Sequence, residues 1–291
     1  MKPSFAVVGC GKVGITLAWH LRKIGFMPVG FASRRLASAH AAAETAGEGR
    51  VCQDPWEATA DADLIFITAP DAAIEALAEK LVARQGVKQG AVVLHCSGVL
   101  PSTILAGVHA CGAHAASLHP LQSFAEPTFP SNPFQGVVMA AEGDPEALAL
   151  AREIAAGFKA KFLAIETAHK TLYHAAAVVA SNYLVTLMDV STRLLVGSGI
   201  APGDTLDVLM PLVRGTLGNM ETRGVAGALT GPIARGDRET VAAHCRKIAQ
   251  SLPDLLLFYQ VLGKYTLPLA EAGGALDDQG REALADLLNG S

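Results

Sequence analysis

Residues 5–14 read Phe5-Ala6-Val7-Val8-Gly9-Cys10-Gly11-Lys12-Val13-Gly14, and this stretch decides the fold. Four apolar residues in a row suit a strand buried on both faces. The spacing GxGxxG follows at once, and a helix-like segment, Val13–Ile24, follows that. Glycines at 9, 11 and 14 permit a tight turn, a close backbone approach to a pyrophosphate, and tight packing of helix on strand. Lys12 and Val13 open the helix, whose free N–H groups and positive dipole end attract an anion.

Working outward, apolar strand-like runs recur at Pro28–Ala32, Leu64–Thr68, Ala91–His95, Ala116–His119, Val137–Ala141 and Lys161–Ile165. Helix-like segments lie between several of them, at Leu36–Ala46, Ala72–Ala83 and Pro145–Ala156. Strand alternating with helix predicts a mostly parallel, doubly wound α/β sheet. From Thr167 the pattern changes. Residues 167–196 contain neither Gly nor Pro, which allows one long helix, and 204–222, 237–251, 253–271 and 277–289 read as further helices. The expected organisation is a dinucleotide-binding domain over 1–166 and an all-α domain over 167–291.

Composition narrows the classes. Hydrophobic residues make up 51% and charged residues 17% of the 291, too apolar for a disordered chain. A net charge of −4 argues against a nucleic-acid partner. The most apolar stretch, Ala175–Met188, is interrupted by Ser181, Asn182 and Thr186 and reads as a buried helix rather than a membrane span. Five scattered cysteines without a CxxC pair suit reduced thiols in a cytoplasmic protein, with no zinc site. His109, His114 and His119 are spaced for neither a helix face nor a strand face, so no metal site is expected.

The end of the second strand selects the cofactor. An acidic residue there would bond a ribose 2′-hydroxyl, but this chain has Ser33-Arg34-Arg35. Two guanidinium groups and a hydroxyl suit a 2′-phosphate, hence NADP(H); otherwise the arginines are a solvated helix start. Ala69-Pro70-Asp71 and His95-Cys96-Ser97-Gly98 end the next strands, at the edge where ligands of open α/β sheets bind. Ser97 is either a donor to the ligand or a turn serine.

Taken together, the glycine fingerprint, TAPD (68–71), HCSG (95–98), SLHPLQSF (117–124), KTLYHAAAVVASN (170–182) and ALTGPIARGD (228–237) resemble one family. It is the Rossmann-like oxidoreductases whose helical second half is of the 6-phosphogluconate-dehydrogenase C-terminal type. Ketopantoate reductase, pyrroline-5-carboxylate reductase, hydroxyisobutyrate dehydrogenase and prephenate dehydrogenase are better-known relatives. The resemblance implies a nicotinamide cofactor, a small-molecule substrate and a homodimer built from the helical halves. Some of these relatives carry, at the start of the long helix, a Lys proton donor with an Asn one turn later. This chain departs from that pattern, with His174 four residues after Lys170 and Asn182 two turns beyond His174.

His174 is therefore the expected proton donor, flanked by Lys170 and Asn182 and faced by Ser97 and His119, at the junction of the two halves. For His174 the alternative is a core histidine, for Lys170 a solvated helix face, and for His119 a strand-end histidine without substrate contact. Thr230 or Arg235 is a candidate to reach a partner subunit's cleft. The expected activity is NADP(H)-dependent reduction of a small oxo acid resembling ketopantoate. Imine reduction and a non-catalytic NADP(H)-binding sensor are the alternatives.

Overall fold

The computed structural model describes residues 2–274 and 276–290. The first half runs β1 (Ser4–Val8), α1 (Lys12–Lys23), β2 (Met27–Ala32), α2 (Leu36–Ala46), β3 (Arg50–Cys52), α3 (Pro55–Thr59), β4 (Leu64–Ile67) and α4 (Asp71–Ala83). It continues through β5 (Val92–His95), a 3₁₀ segment (Ser102–Cys111), β6 (His114–Pro120), β7 (Val138–Gly143), α5 (Pro145–Gly157) and β8 (Lys161–Ala164). These strands form one sheet in the order β3-β2-β1-β4-β5-β6-β7-β8. All neighbours are parallel except β6 and β7. The order reverses between β1 and β4, which creates the crevice where such sheets take ligands.

Alternation along each strand divides the core. Phe5, Val7, Phe31, Phe66 and Leu94 pack with Leu17, Leu21, Phe134 and Phe158 on one face. Ala6, Ile65, Ile67 and Val93 pack with Ile74, Leu81, Leu105 and Val108 on the other. Strands buried on both faces cannot show a polar alternation, which is why they read as unbroken apolar runs.

Two early elements and the 3₁₀ segment escape sequence reading. β3 is three residues at the sheet edge, and α3 is a single turn begun by Pro55. Neither is long enough to display a period.

Beyond β8, a 3₁₀ turn (Thr167–His169) leads into α6 (Lys170–Gly197), α7 (Thr205–Gly227), α8 (Arg238–Ser251), α9 (Leu256–Ala272) and α10 (Asp278–Leu288). The sheet ends close to the expected boundary at 166, whereas the compact units, Met1–Ser181 and Asn182–Ser291, divide inside α6. The second unit has its own small core around Val241, Leu267, Ala270, Leu284 and Leu288.

One expectation fails in the single chain. Ala175–Met188 is not buried: Val179, Tyr183 and Val185 are 58%, 60% and 70% exposed. By length and composition the helix spanning residues 167–197 is also apolar enough to cross a bilayer, with a mean hydropathy of 1.2 over its best window.

Candidate functional site

The glycine turn has the shape its sequence demands. Gly9 adopts φ +98°, and a Cβ there would lie 2.5 Å from the Ala69 nitrogen. A Cβ on Gly14 would lie 2.5 Å from the Gly9 oxygen and 2.6 Å from Thr68 Oγ1. Thr68 Oγ1 in turn donates to the Gly9 carbonyl at 2.5 Å, which locks the turn against the end of β4. Gly11 differs, because nothing lies within 4 Å of its Cβ position. The open side of Gly11, the uncapped start of α1 and the absence of an acidic residue in its first turn fit a pyrophosphate. Lys12 at the head of α1 is exposed. Ser33 is half-buried, while Arg34 and Arg35 are exposed and form no ion pair among the described residues. The residues present therefore fit an NADP-type dinucleotide.

A second set of groups gathers at the ends of β5 and β6 and on the first turns of α6, all within the first unit. Its foundation is an ion pair. Lys170 and Glu142 are 1% and 2% exposed, with Nζ 3.2 Å from Oε1. Lys170 also donates to Ser117 Oγ. Glu142 accepts from the Ser102 nitrogen at 2.8 Å, from Ser102 Oγ at 2.7 Å and from Thr167 Oγ1 at 2.8 Å. Burial alone would raise Glu142, but these donors hold it below the usual carboxylate range. Burial lowers Lys170, and Glu142 opposes that shift.

One helical turn beyond Lys170 lies His174, and the two side chains do different things. Lys170 turns into the ion pair, so it is neither a solvated helix face nor a free proton donor. His174 Nδ1 meets Gly98: a Cβ on Gly98 would lie 2.5 Å from it and 2.9 Å from His119 Nε2. The two imidazoles are 6.1 Å apart between centroids, at 75°. His119 Nδ1 lies 3.1 Å from the Tyr173 hydroxyl. Among the described residues, His174 Nδ1 is the one buried side-chain nitrogen or oxygen without a hydrogen-bond partner.

Ser97 is not poised to donate to a ligand. Its hydroxyl donates to Asp71 Oδ2 at 3.0 Å and accepts from the Val99 and Leu100 nitrogens at 3.2 and 3.0 Å. It is a turn serine that fixes Gly98, and Asp71 is its anchor at the head of α4. Ala69 is half-buried, and Pro70 is exposed where it caps the same helix. Asn182 is the first residue of the second unit and is exposed, as is Thr230, while Arg235 lines a cavity of about 410 Å³ with Asp277 in that unit.

Sequence reading missed Glu142, Ser117, Ser102, Thr167 and Tyr173. Glu142 carried a signal, as the one charged residue at the end of an otherwise apolar strand. Ser117 lies two positions before His119, on the same side of β6.

Burial, reinforced by the Lys170 charge, holds both His95 and His119 down to about 4. His95 is locked as a neutral ring, with Nε2 bonded to the Pro101 oxygen at 3.3 Å and Nδ1 accepting from the Ser97 nitrogen at 3.2 Å.

With the geometry in place, similarity to known proteins can be set beside it. Residues 2–120 match the Rossmann-like domain and residues 137–266 match a domain of unknown function, DUF2520. Among curated proteins, none matches the sequence. A solved Thermotoga maritima protein superposes with a TM-score of 0.71 at 28% identity, over 92% of this chain and 98% of its own. A Bacteroides fragilis protein assigned as an NADP oxidoreductase gives 0.75 at 22% identity, over 92% and 98%. A reductive aminase from Aspergillus terreus, solved with NADPH and ethyl levulinate, gives 0.66 at 17% identity, over 99% of both chains. The last two likenesses are of fold.

The depressed histidines make acid sensitivity the measurable consequence of this cluster. The unfolded chain binds protons at His95 near pH 6.5, whereas the folded ring does so near 4. Stability therefore rises with pH across that window and is lost as pH falls through it. The loss is of the order of 3 kcal/mol for His95. Denaturant unfolding at pH 6.5 and pH 4 should show this fall, and His95→Gln should flatten it; an unchanged slope would remove His95 as the cause.

Proposed function

We propose that this chain, which joins a Rossmann-like domain to a DUF2520 domain, is an NADP(H)-dependent reductase of a small oxo acid or related carbonyl compound. The observation that carries the reading is the pairing of a dinucleotide turn at β1 and β4 with an unpartnered, buried imidazole nitrogen beside the neighbouring strand ends.

The backbone around Gly9, Gly11 and Gly14 and the first turn of α1 (Lys12, Val13) hold the pyrophosphate. Ser33, Arg34 and Arg35 take the 2′-phosphate, and Ala69, Pro70 and Asp71 border the ribose side. When bound, the reduced nicotinamide supplies a hydride. A carbonyl under reduction gathers negative charge on its oxygen, and a donor of near-neutral pKa both polarises the bond and protonates the product. His174 does this in our reading. His119 lines the same pocket, and Lys170 fixes the base of the helix that carries His174.

A second reading, reduction of a cyclic imine in the manner of pyrroline-5-carboxylate reductase, draws support from the commitment of Lys170 to Glu142. An ammonium held in that pair is not free to protonate a carbonyl oxygen, which an imine lacks. A panel of 2-oxo acids and cyclic imines, followed by NADPH absorbance, separates the two, and tight NADPH binding without turnover on any member would instead favour a sensor.

The unit in this reading is a homodimer in the cytoplasm. Tyr183, Val185, Leu212, Leu257 and Tyr265 are between 60% and 76% exposed, and a second copy would cover such helices. The five cysteines, all unpaired, suit a reducing compartment.

Three outcomes are expected. Wild type binds NADPH more tightly than NADH, and Arg34→Asp reverses the preference at a cost on the order of 1.5–3 kcal/mol in NADPH binding; equal affinities in titration would refute the phosphate assignment. His174→Ala lowers turnover by roughly 10²–10⁴ with NADPH affinity kept, whereas a normal rate with a lower melting temperature would make His174 a packing residue. Light scattering at micromolar concentration gives twice the 30.1 kDa chain mass, and a monomer would sink the dimer.

A further inference from the structure

We infer that Tyr173 is a positioning residue that sets the tautomer of His174 through His119. This inference rests on the reading of His174 as proton donor and adds what prepares it to donate.

An imidazole can donate from only one nitrogen when neutral, so a donor histidine must be told which nitrogen carries its proton. For His174 the geometry supplies a candidate. Its Nδ1 is buried and without a partner, and it faces the same point over Gly98 that His119 Nε2 faces. Gly98 is the residue that lets both rings approach, because any Cβ there would stand 2.5 Å from one nitrogen and 2.9 Å from the other. The Ser97 turn, with its hydroxyl bonded to Asp71 and to the Val99 and Leu100 nitrogens, fixes Gly98 in that place.

The far side of His119 is fixed by Tyr173, whose hydroxyl is 3.1 Å from Nδ1 with the rings edge-on at 86°. Burial raises the Tyr173 phenol, so it keeps its proton near neutral pH. Burial and the charge of Lys170 keep His119 neutral. The contact allows either sense, and we take the phenol as donor and Nδ1 as acceptor. The single proton of His119 is then on Nε2, on the side facing Gly98 and His174 Nδ1, which it reaches through one bridging water. His174 Nδ1 becomes an acceptor, and its own proton stands on Nε2, free for the substrate. No bond is made or broken in this chain of donors. It orders three side chains before any reaction begins.

The test needs neither cofactor nor substrate. The full chain is labelled with ¹⁵N-histidine and its imidazole nitrogens are read by two-bond ¹H–¹⁵N NMR at pH 7.5. His119→Gln and His174→Gln assign the signals. Wild type should show both His119 and His174 protonated on Nε2, with both Nδ1 signals those of acceptors. Tyr173→Phe should mix the tautomers of His119 and shift the His174 signals with them. Gly98→Ala, which wedges between the rings, should move His174 while the Tyr173–His119 contact persists. Finding His119 protonated on Nδ1, or His174 unmoved by Tyr173→Phe, would overturn the inference even if Gly98→Ala fails to fold. Where turnover is measurable, Tyr173→Phe should lower kcat by about 10-fold or more with the KM for NADPH unchanged. A normal rate for His174→Ala would instead sink the donor reading and leave the NMR result to stand by itself.

Discussion

Everything at the β5–β6 end of the sheet depends on one buried ion pair, Lys170 with Glu142. Taking both charges out of water costs several kcal/mol each, and attraction alone rarely offsets that. Here the carboxylate also accepts three hydrogen bonds, two from Ser102 and one from Thr167, while the ammonium has Ser117 as a second acceptor. Four pieces of chain meet at the pair: β6, β7, the 3₁₀ segment and the start of α6. Removing one partner would strand the other charge, at a cost of about 3–5 kcal/mol. The pair thus fixes where α6 begins, and so where Tyr173 and His174 stand relative to β5 and β6. It also sets a local potential, since its cation adds to the burial that keeps His95 and His119 neutral.

Such an arrangement explains the division of labour on α6. Lysine is the more familiar donor at a helix start, but a lysine bound to a carboxylate has its protons engaged. One turn later, His174 makes no such bond: its Nδ1 is buried without a partner. The expectation from the sequence is His174 as donor with Lys170 flanking it. The structure buries Lys170 against Glu142 and sets His174 against Gly98, although both lie on nearly the same helical face. Side chains on one face can still part when one is long enough to reach a buried anion.

The sheet was legible because its strands are apolar on both faces and its glycine turn has a specific spacing. Residues 9–14 could be read as a tight strand-to-helix turn without any structure. The ion pair could not, since Glu142 and Lys170 lie 28 positions apart, on β7 and at the start of α6. Ser97 shows the other limit. A serine after a strand is equally good as a ligand donor and as a turn former, and only its three hydrogen bonds decide for the turn. Tyr173 was hidden in plain view, next to His174, because sequence alone does not show which side of α6 faces His119. Helix 175–188 is exposed in the single chain, and apolar composition does not say whether the same chain or another covers it.

The two halves of the site are mechanically one. Thr68, at the end of β4, clamps the Gly9 carbonyl and so the phosphate turn. Three residues on, Asp71 accepts from Ser97, whose hydroxyl closes the turn that presents Gly98 to the histidines. A single strand end therefore connects the glycine turn to Gly98 and the two imidazoles through short polar links, with no long loop in between. Links of that kind transmit small displacements because each is a defined hydrogen bond on a rigid sheet edge. A change at Asp71 would be felt at Gly98 first, and a change at Gly98 would be felt at both imidazoles. Asp71 thus reaches the two imidazoles by way of the Ser97 hydroxyl and Gly98.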